Sequence, residues 1–268
     1  MPGVETPIAA PPSRPYICFD GVAKRYAQRG GSAPASILEG IDLTVQEGEF
    51  VSLIGPSGCG KSTMLKLVAG LTPVSAGSIR IEGLTPENAR EIVSFIFQDP
   101  TLLPWRTVEQ NVALRLELEG VTRIRRQEKV ASLLELVGLS HAAGSYPRQL
   151  SGGMKMRVSI ARALSTRPRV LLMDEPFAAL DEISRDRLNE EMLRLQAEQG
   201  WTAMFVTHSV AEAVFLSHRV LVLSAHPGRI AHEVAVPLPY PRTAETRLTP
   251  EFEQVVAHVS RLLRGVHR

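Results

Sequence analysis

The stretch FVSLIGPSGCGKSTMLKLV, residues 50–68, decides the fold class of this chain. It starts with the apolar run Phe50–Ile54 and continues into GPSGCGKST, which fits the pattern G-x-x-x-x-G-K-[ST]. Apolar residues then recur at helical spacing, at Met64, Leu67, Val68 and Leu71. A glycine-rich loop between a buried strand and a helix surrounds phosphate with backbone N–H groups and the positive helix end. The predicted phosphate-binding residues are Gly55, Pro56, Ser57, Gly58, Cys59, Gly60, Lys61, Ser62 and Thr63.

Three further apolar runs indicate buried strands, at residues 169–174, 203–208 and 219–223. Continuous rather than alternating hydrophobicity is typical of strands that are covered on both faces. Helical patterns separate these runs, for example Leu188, Met192 and Leu195. Strands that alternate with helices predict an α/β fold with a mainly parallel sheet, here a P-loop NTPase core.

The chain divides into regions of different pattern. We predict a disordered leader at 1–15, because that stretch is rich in proline and small residues. The core covers 16–103 and 165–235 and begins with antiparallel strands around a glycine-rich loop. Residues 104–164 show helical periodicity without a convincing strand, which indicates an inserted helical subdomain. Residues 236–268 form a C-terminal extension with one apolar helical stripe, made of Phe252, Val255, Val256, Val259, Leu262 and Leu263.

Composition limits the classes of function. The 268 residues carry a net charge of +2, so the charge balance does not require nucleic acid as a partner. Cys18 and Cys59 form no framework pattern, which fits a reducing compartment. The sequence contains no secretory signal pattern and no run of eighteen apolar residues, so we expect no membrane-spanning segment.

Polar residues follow the predicted strands at the sheet edge where ligands of open α/β folds bind. Asp174 and Glu175 end the run RVLLMDEP, His208 follows AMFVT, and Gln98 closes VSFIFQ. A magnesium ion beside the phosphates takes oxygen ligands, and the predicted metal set is Ser62, Gln98 and Asp174. Glu175, one residue further on, is positioned to act as general base or to orient a water.

The segment LSGGM, residues 150–154, contains a second glycine pair at the start of a predicted helix. One nucleotide needs only one glycine-rich loop, so this pair requires another explanation. The phosphate loop, IFQDP, LSGGM, LLMDEP, ALD and VTH, in this order, resemble the ATPase subunit of ATP-binding cassette (ABC) transporters. The resemblance extends from about residue 16 to residue 230.

The resemblance implies ATP and Mg²⁺ as cofactors and a head-to-tail pair of ATPase domains. Each ATP is then held between one subunit's phosphate loop and the other's LSGGM segment, where Ser151, Gly152 and Gly153 approach the γ-phosphate. The implied roles of the remaining residues are adenine stacking by Tyr26, catalytic base for Glu175, γ-phosphate sensing by His208, metal and permease linkage by Gln98, and dimer contact by Asp181.

The segment SYPRQLSGGM resembles importer subunits, and LLPW is similar to the ATPases of the nitrate, sulfonate and taurine importer group. This similarity implies a separate integral membrane permease, a periplasmic or extracellular solute-binding protein, and a peripheral position at the cytoplasmic face of the inner or plasma membrane. The paired ATPase is either a second copy or a related chain. The alternatives are an exporter or lipid-handling subunit, and a soluble ABC ATPase that acts on nucleic acid or ribosomes.

Three features of the sequence each allow two interpretations. Trp105 beside Pro104 suits a pocket for a permease helix, but tryptophan is also a common core residue. The basic cluster at 122–129 is a solvated helix face or a lipid-headgroup contact. The C-terminal stripe packs on its own domain or docks on a partner.

Overall fold

A computed structural model describes residues 14–26 and 35–266. Residues 1–13, which form most of the predicted leader, and residues 27–34 in the glycine-rich connection lie outside the described residues. The first strand already begins at Pro15. The strands are β1 (Pro15–Tyr26), β2 (Ala35–Gln46), β3 (Phe50–Ile54), β4 (Ala76–Ile81), β5 (Val93–Ile96), β6 (Val170–Asp174), β7 (Thr202–Val206), β8 (Arg219–Leu223) and β9 (Ile230–Ala235).

The larger sheet has six strands in the order β5-β6-β7-β3-β8-β9. All neighbours run parallel except β8 and β9, which are antiparallel. Every residue of β3, β6 and β7 is buried, as the continuous apolar runs predict. The α/β fold class with a mainly parallel sheet is therefore confirmed. The antiparallel edge strand β9 was not predicted, because its residues are mostly exposed and give no apolar run.

A three-stranded antiparallel sheet, in the order β2-β1-β4, packs on one side of the six-stranded sheet. Its inward residues, such as Ile17, Leu38 and Val45, share one hydrophobic cluster with residues from β3 and from the first helix. The predicted antiparallel N-terminal part is present. This packing brings the end of β1 and the start of β2 beside the phosphate loop.

Seven α-helices complete the structure within the described residues. They are α1 (Lys61–Val68), α2 (Val108–Leu118), α3 (Arg123–Leu136), α4 (Gly152–Leu164), α5 (Glu182–Gln199), α6 (Val210–Leu216) and α7 (Pro250–Val266). Between residues 104 and 164 the described chain contains helices and no strand. Thr107 caps α2 with a reciprocal capping box to Gln110, which defines where this helical part starts. The buried residues of this helical part share one hydrophobic cluster with the face of the larger sheet that points away from β1 and β2.

Two sequence interpretations are corrected here. Leu71 is not part of the buried stripe of α1, because the helix ends at Val68 and Gly70 turns the chain with a φ of 62°. Its side chain is 55% exposed. The interpretation of Trp105 as a core residue is also wrong, because Trp105 is 70% exposed.

The C-terminal stripe packs on its own domain. Phe252 and Val259 on α7 are buried. The Phe252 ring packs edge-on against Phe215 of α6, with centroids 6.5 Å apart, which is within the usual distance of aromatic pairs. Val255, Val256, Leu262 and Leu263 pack half-buried against the same cluster. Of the helices in residues 14–26 and 35–266, none combines the length and hydrophobicity needed to cross a membrane.

Candidate active site

The phosphate loop leaves β3 and enters α1 through backbone that only glycine fits. Gly58 and Gly60 have φ values of 80° and 97°, in the left-handed region that favours glycine. A Cβ on Gly60 would also lie 2.5 Å from Leu38 Cδ2. The Lys61 ammonium donates to the carbonyls of Gly55 at 2.8 Å and Pro56 at 3.0 Å, so the loop curls around the charge. The backbone conformation and this central cation make a preformed anion site.

A cavity of about 410 Å³ opens beside this loop. Ten of the predicted site residues line it together with Ile37. They are Tyr26, Ser57, Gly58, Gly60, Lys61, Ser62, Thr63, Gln98, Glu175 and His208. Tyr26 lies 42% exposed at the rim, and the Lys24 ammonium stands 4.7 Å from its ring centroid. An exposed ring at the mouth and phosphate-binding groups at the floor suit a ligand that has a flat base and a phosphate chain.

Ser62 and Asp174 form an oxygen-donor pair at the floor. The Ser62 hydroxyl donates to Asp174 Oδ1 at 2.9 Å. Asp174 is 5% exposed, and its burial raises the pKa of the carboxyl while the Ser62 hydroxyl opposes that shift. A hydroxyl and a carboxylate oxygen are hard donors of the kind that Mg²⁺ prefers, so the residues present fit this ion.

Glu175, His208 and Gln98 converge although they come from three different strand ends. Glu175 Oε1 lies 2.7 Å from His208 Nε2, and the Gln98 amide donates to Glu175 Oε2 at 3.3 Å. The backbone of Glu175 has a φ of 50°, which is unusual for a residue with a side chain. Such strain is retained where the surrounding structure imposes it, and it is common at active sites.

The LSGGM segment does not line this cavity. Ser151 caps α4 by accepting the N–H of Met154 at 3.2 Å. A Cβ on Gly153 would lie 3.1 Å from the Ala179 carbonyl, so the fold itself restricts this position. A Cβ on Gly152 would meet no atom within 4 Å. Nothing among the described residues of this chain therefore requires glycine at residue 152.

Asp181 also lies outside the cavity, at the start of α5. Its carboxylate accepts the N–H of Ser184 at 2.9 Å, and this hydrogen bond lowers the pKa of Asp181. Cys59 contributes only backbone to the site, because its side chain is buried with Sγ 3.8 Å from Lys61 Nζ. Burial raises the pKa of the Cys59 thiol, which disfavours the thiolate.

Sequence reasoning missed two supports of the phosphate loop. Ile37 lines the cavity from β2, and nothing in its local sequence indicates this position. Gly228 donates its N–H to the Ile37 carbonyl at 2.9 Å and accepts the N–H of Glu39 at 3.1 Å. A Cβ on Gly228 would lie 1.9 Å from the Cys59 carbonyl oxygen. The segment HPGR, residues 226–229, is typical of a turn, and only the fold shows that it supports the loop.

The profile described as "ABC transporter" matches residues 38–178, slightly more than half of the chain. The chain belongs to the ABC transporter family. The aliphatic sulfonates import ATP-binding protein SsuB of Bacillus cereus is 41% identical over 90% of this chain and 94% of its own length. The bicarbonate transport ATP-binding protein CmpC of Synechococcus elongatus is 44% identical over 85% of this chain and 34% of its own length.

A solved structure gives the same assignment. The ATP-binding cassette MJ0796, in a dimeric post-hydrolysis state bound to ADP and Pi, has a TM-score of 0.77 and 31% identity. The match covers 83% of this chain and 99% of that one. The chain is therefore an ATP-binding cassette and an ATPase, and its fold is that of this family.

Proposed function

We propose that this chain powers a binding-protein-dependent importer by hydrolysing Mg-ATP in a head-to-tail dimer. The convergence of Glu175, His208 and Gln98 beside the phosphate loop is the observation that carries the catalytic part. Lys61 neutralises phosphate charge and the loop N–H groups orient the phosphate chain. The Glu175 carboxylate takes the proton of the attacking water, and His208 holds that carboxylate at 2.7 Å.

We assign the metal site to Ser62, Asp174 and Gln98. The Ser62–Asp174 contact and the oxygen chemistry of the three side chains support this assignment. When bound, Mg²⁺ supplies positive charge that offsets the charge developing on the phosphate oxygens. Gln98 also contacts Glu175 directly, so the proposal gives this one side chain a role toward both the metal and the catalytic carboxylate.

The dimer proposal rests on Ser151, Gly152 and Asp181. They lie outside the cavity, and Gly152 faces open space in its own chain. A helix start that offers backbone N–H groups and no side chain is suited to a phosphate held by another subunit. The second subunit is a copy of this chain or a related ATPase.

A groove between the sheet core and the helical part supports docking of a permease helix. Its volume is about 550 Å³, and the stacked rings of Phe95 and Phe97, with centroids 4.2 Å apart, form part of its wall. Arg162 lines the groove and donates to the carbonyls of Pro100 at 2.9 Å and Thr101 at 3.0 Å. This contact links the groove to the segment that follows Gln98, so a docked helix and the catalytic site share one loop.

The importer assignment and the solute class come from the likeness to SsuB and CmpC. We propose a small anion or organic solute of the nitrate, sulfonate or taurine type. The chain then acts at the cytoplasmic face of the membrane, bound to the permease. The solute contacts the permease and the solute-binding protein, which receive energy from this subunit.

The test is affinity purification of the tagged chain from detergent-solubilised native membranes, followed by mass spectrometry. A polytopic permease in stoichiometric amount, with a solute-binding protein, supports the proposal. A permease without any binding protein indicates an exporter or lipid-handling system. Recovery with nucleic acid or ribosomal partners in the soluble fraction overturns the transport proposal and leaves the ATPase assignment intact.

The catalytic assignment has its own test in Glu175→Gln. The amide is nearly the same size but takes no proton, so turnover should fall by at least about 100-fold, the usual range for a lost general base. Binding of a fluorescent ATP analogue should be retained. Steady-state hydrolysis near that of the unaltered chain would remove Glu175 from its proposed role.

A further inference from the structure

A second cavity, of about 270 Å³, lies directly behind the catalytic residues. Glu175 and His208 form one wall, and the charged residues Arg185 and Glu212 form another. Neither of these charged residues belongs to the phosphate or metal site. Their position raises the question of what an ion pair does beside the catalytic carboxylate.

Glu212 is tied to the loop that carries His208. It lies on α6 and is 7% exposed. The hydroxyl of Thr207 donates to Glu212 Oε2 at 2.6 Å and accepts the N–H of Ser209 at 3.0 Å. Thr207 directly precedes His208 in the chain, so these two hydrogen bonds hold the backbone on both sides of the histidine.

Arg185 connects the same carboxylate to the segment that carries Asp181. It lies on α5, one helical turn after Asp181, and donates to the Leu180 carbonyl at 2.9 Å. Arg185 Nε is 3.4 Å from Glu212 Oε1. The ion pair between Arg185 and Glu212 therefore connects the segment that carries Asp181 with the loop that carries His208.

A buried carboxylate is costly to the fold unless charged or hydrogen-bonding partners offset its desolvation. Burial raises the pKa of Glu212, while the Thr207 hydroxyl and the charges of Arg185 and Arg247 oppose that shift. A hydrophobic side chain would fill this space at lower cost. The ion pair between Arg185 and Glu212 is therefore better explained by the geometry that it imposes than by a gain in stability.

We propose that Glu212 is a positioning residue for ATP hydrolysis, acting through Thr207 on His208 and through Arg185 on the segment of Asp181. The first connection rests on the proposed catalytic role of Glu175 and on its 2.7 Å contact with His208. The second rests on the proposed dimer, in which Asp181 faces the other subunit. A change at Glu212 should then affect turnover and leave nucleotide binding unchanged.

The experiment compares Glu212→Gln with Glu49→Gln in the full chain. Glu49 is a matched control, because it is also 7% exposed and also pairs with an arginine, Arg219, at 2.9 Å. It does not line the cavities that contain Glu175. Steady-state ATP hydrolysis gives kcat and KM, a fluorescent ATP analogue gives Kd, and thermal unfolding reports on the fold.

We expect Glu212→Gln to lower kcat by about 10- to 100-fold, as small displacements of catalytic groups do. The Kd should stay within about twofold, since the phosphate-loop contacts are unchanged. Both variants should lower the unfolding temperature by a similar amount, but Glu49→Gln should leave kcat unchanged. Equal kcat losses in the two variants, or a Kd that rises in proportion to the loss, would overturn the proposal.

A second pair of variants keeps the test valid if Glu212→Gln does not fold. Thr207→Ser preserves the hydroxyl that reaches Glu212, while Thr207→Val has nearly the same shape and lacks it. We expect kcat to be retained in the serine variant and lost in the valine variant. Equal kcat in both contradicts the proposal. The dimer proposal is tested separately by light scattering of the unaltered chain with ATP. A monomer in that measurement would contradict the dimer proposal.

Discussion

Gly228→Ala adds one methyl group directly under the phosphate loop. A Cβ at Gly228 would lie 1.9 Å from the Cys59 carbonyl oxygen and 3.0 Å from the Ile37 carbonyl oxygen. Both neighbours are backbone atoms, so no flexible side chain can move aside. The φ of Gly228 is not in the left-handed region, so alanine is disfavoured here by steric overlap and not by backbone strain.

The size of the effect follows from the overlap. Ordinary van der Waals contact begins near 3.4 Å, so the loop or the 226–229 segment must move by about 1.5 Å. Overpacking of this kind costs about 1–3 kcal/mol. Displacement of the Cys59 carbonyl also moves the loop N–H groups away from the phosphates, and the loss of one hydrogen bond to a charged group costs about 1.5–3 kcal/mol. We expect the Kd for ATP to rise by about 10- to 100-fold.

The assay is titration with a fluorescent ATP analogue, combined with chemical unfolding to measure the free energy of unfolding. Gly144→Ala is the matched control, because a Cβ there meets no atom within 4 Å and its φ is not left-handed. The control should bind ATP as the unaltered chain does.

A Gly228→Ala variant that keeps the Kd within about twofold of the control would refute the reasoning. The result would mean that the 226–229 segment yields without moving the loop. A loss of unfolding free energy without a change in Kd would have the same meaning. The two measurements therefore separate support of the loop from packing alone.

Three further predictions follow from other parts of the structure. Gly152→Ala should leave ATP binding and stability unchanged and lower the rate of hydrolysis, and a normal rate would contradict this. Ser151→Arg should prevent formation of the ATP-bound dimer, and a dimer seen by light scattering would contradict this. Desolvation of the half-buried His218 side chain, together with the nearby charge of Arg242, lowers the pKa of His218 to about 4. In the unfolded chain His218 takes up a proton near pH 6.5, whereas in the folded chain it stays neutral down to about pH 4. The free energy of unfolding should therefore fall by up to about 3 kcal/mol from pH 6.5 to 4. An equal fall in His218→Gln would contradict this. Trp105→Asp should leave the ATPase of the isolated chain unchanged and reduce permease recovery; unchanged recovery removes Trp105 from the interface.

Local patterns in the sequence determined most of the fold. The apolar runs identified β3, β6, β7 and β8, because strands covered on both faces are continuously hydrophobic. The glycine pattern at 55–63 identified the phosphate loop, because the required backbone geometry is local. The helix caps at Ser151 and Asp181 are local in the same way, since each side chain accepts the N–H of a residue three positions later.

Other features were beyond local patterns. The edge strand β9 pairs with β8 through backbone hydrogen bonds and has no apolar run of its own. The burial of the C-terminal stripe depended on whether its own domain offered a complementary face, which α6 does. Trp105 is exposed although tryptophan is usually buried, so composition alone pointed in two directions.

The sequence by itself determined the candidate site residues, since residue type and strand-end position already selected Glu175, His208 and Gln98. Only the tertiary structure decided how they meet, with His208 on Glu175 and Gln98 on the other carboxylate oxygen. It also decided that Gly228 supports Cys59 and that Glu212 joins Arg185 to Thr207. These contacts connect residues from separate elements, and their geometry is set by how those elements pack rather than by any local spacing.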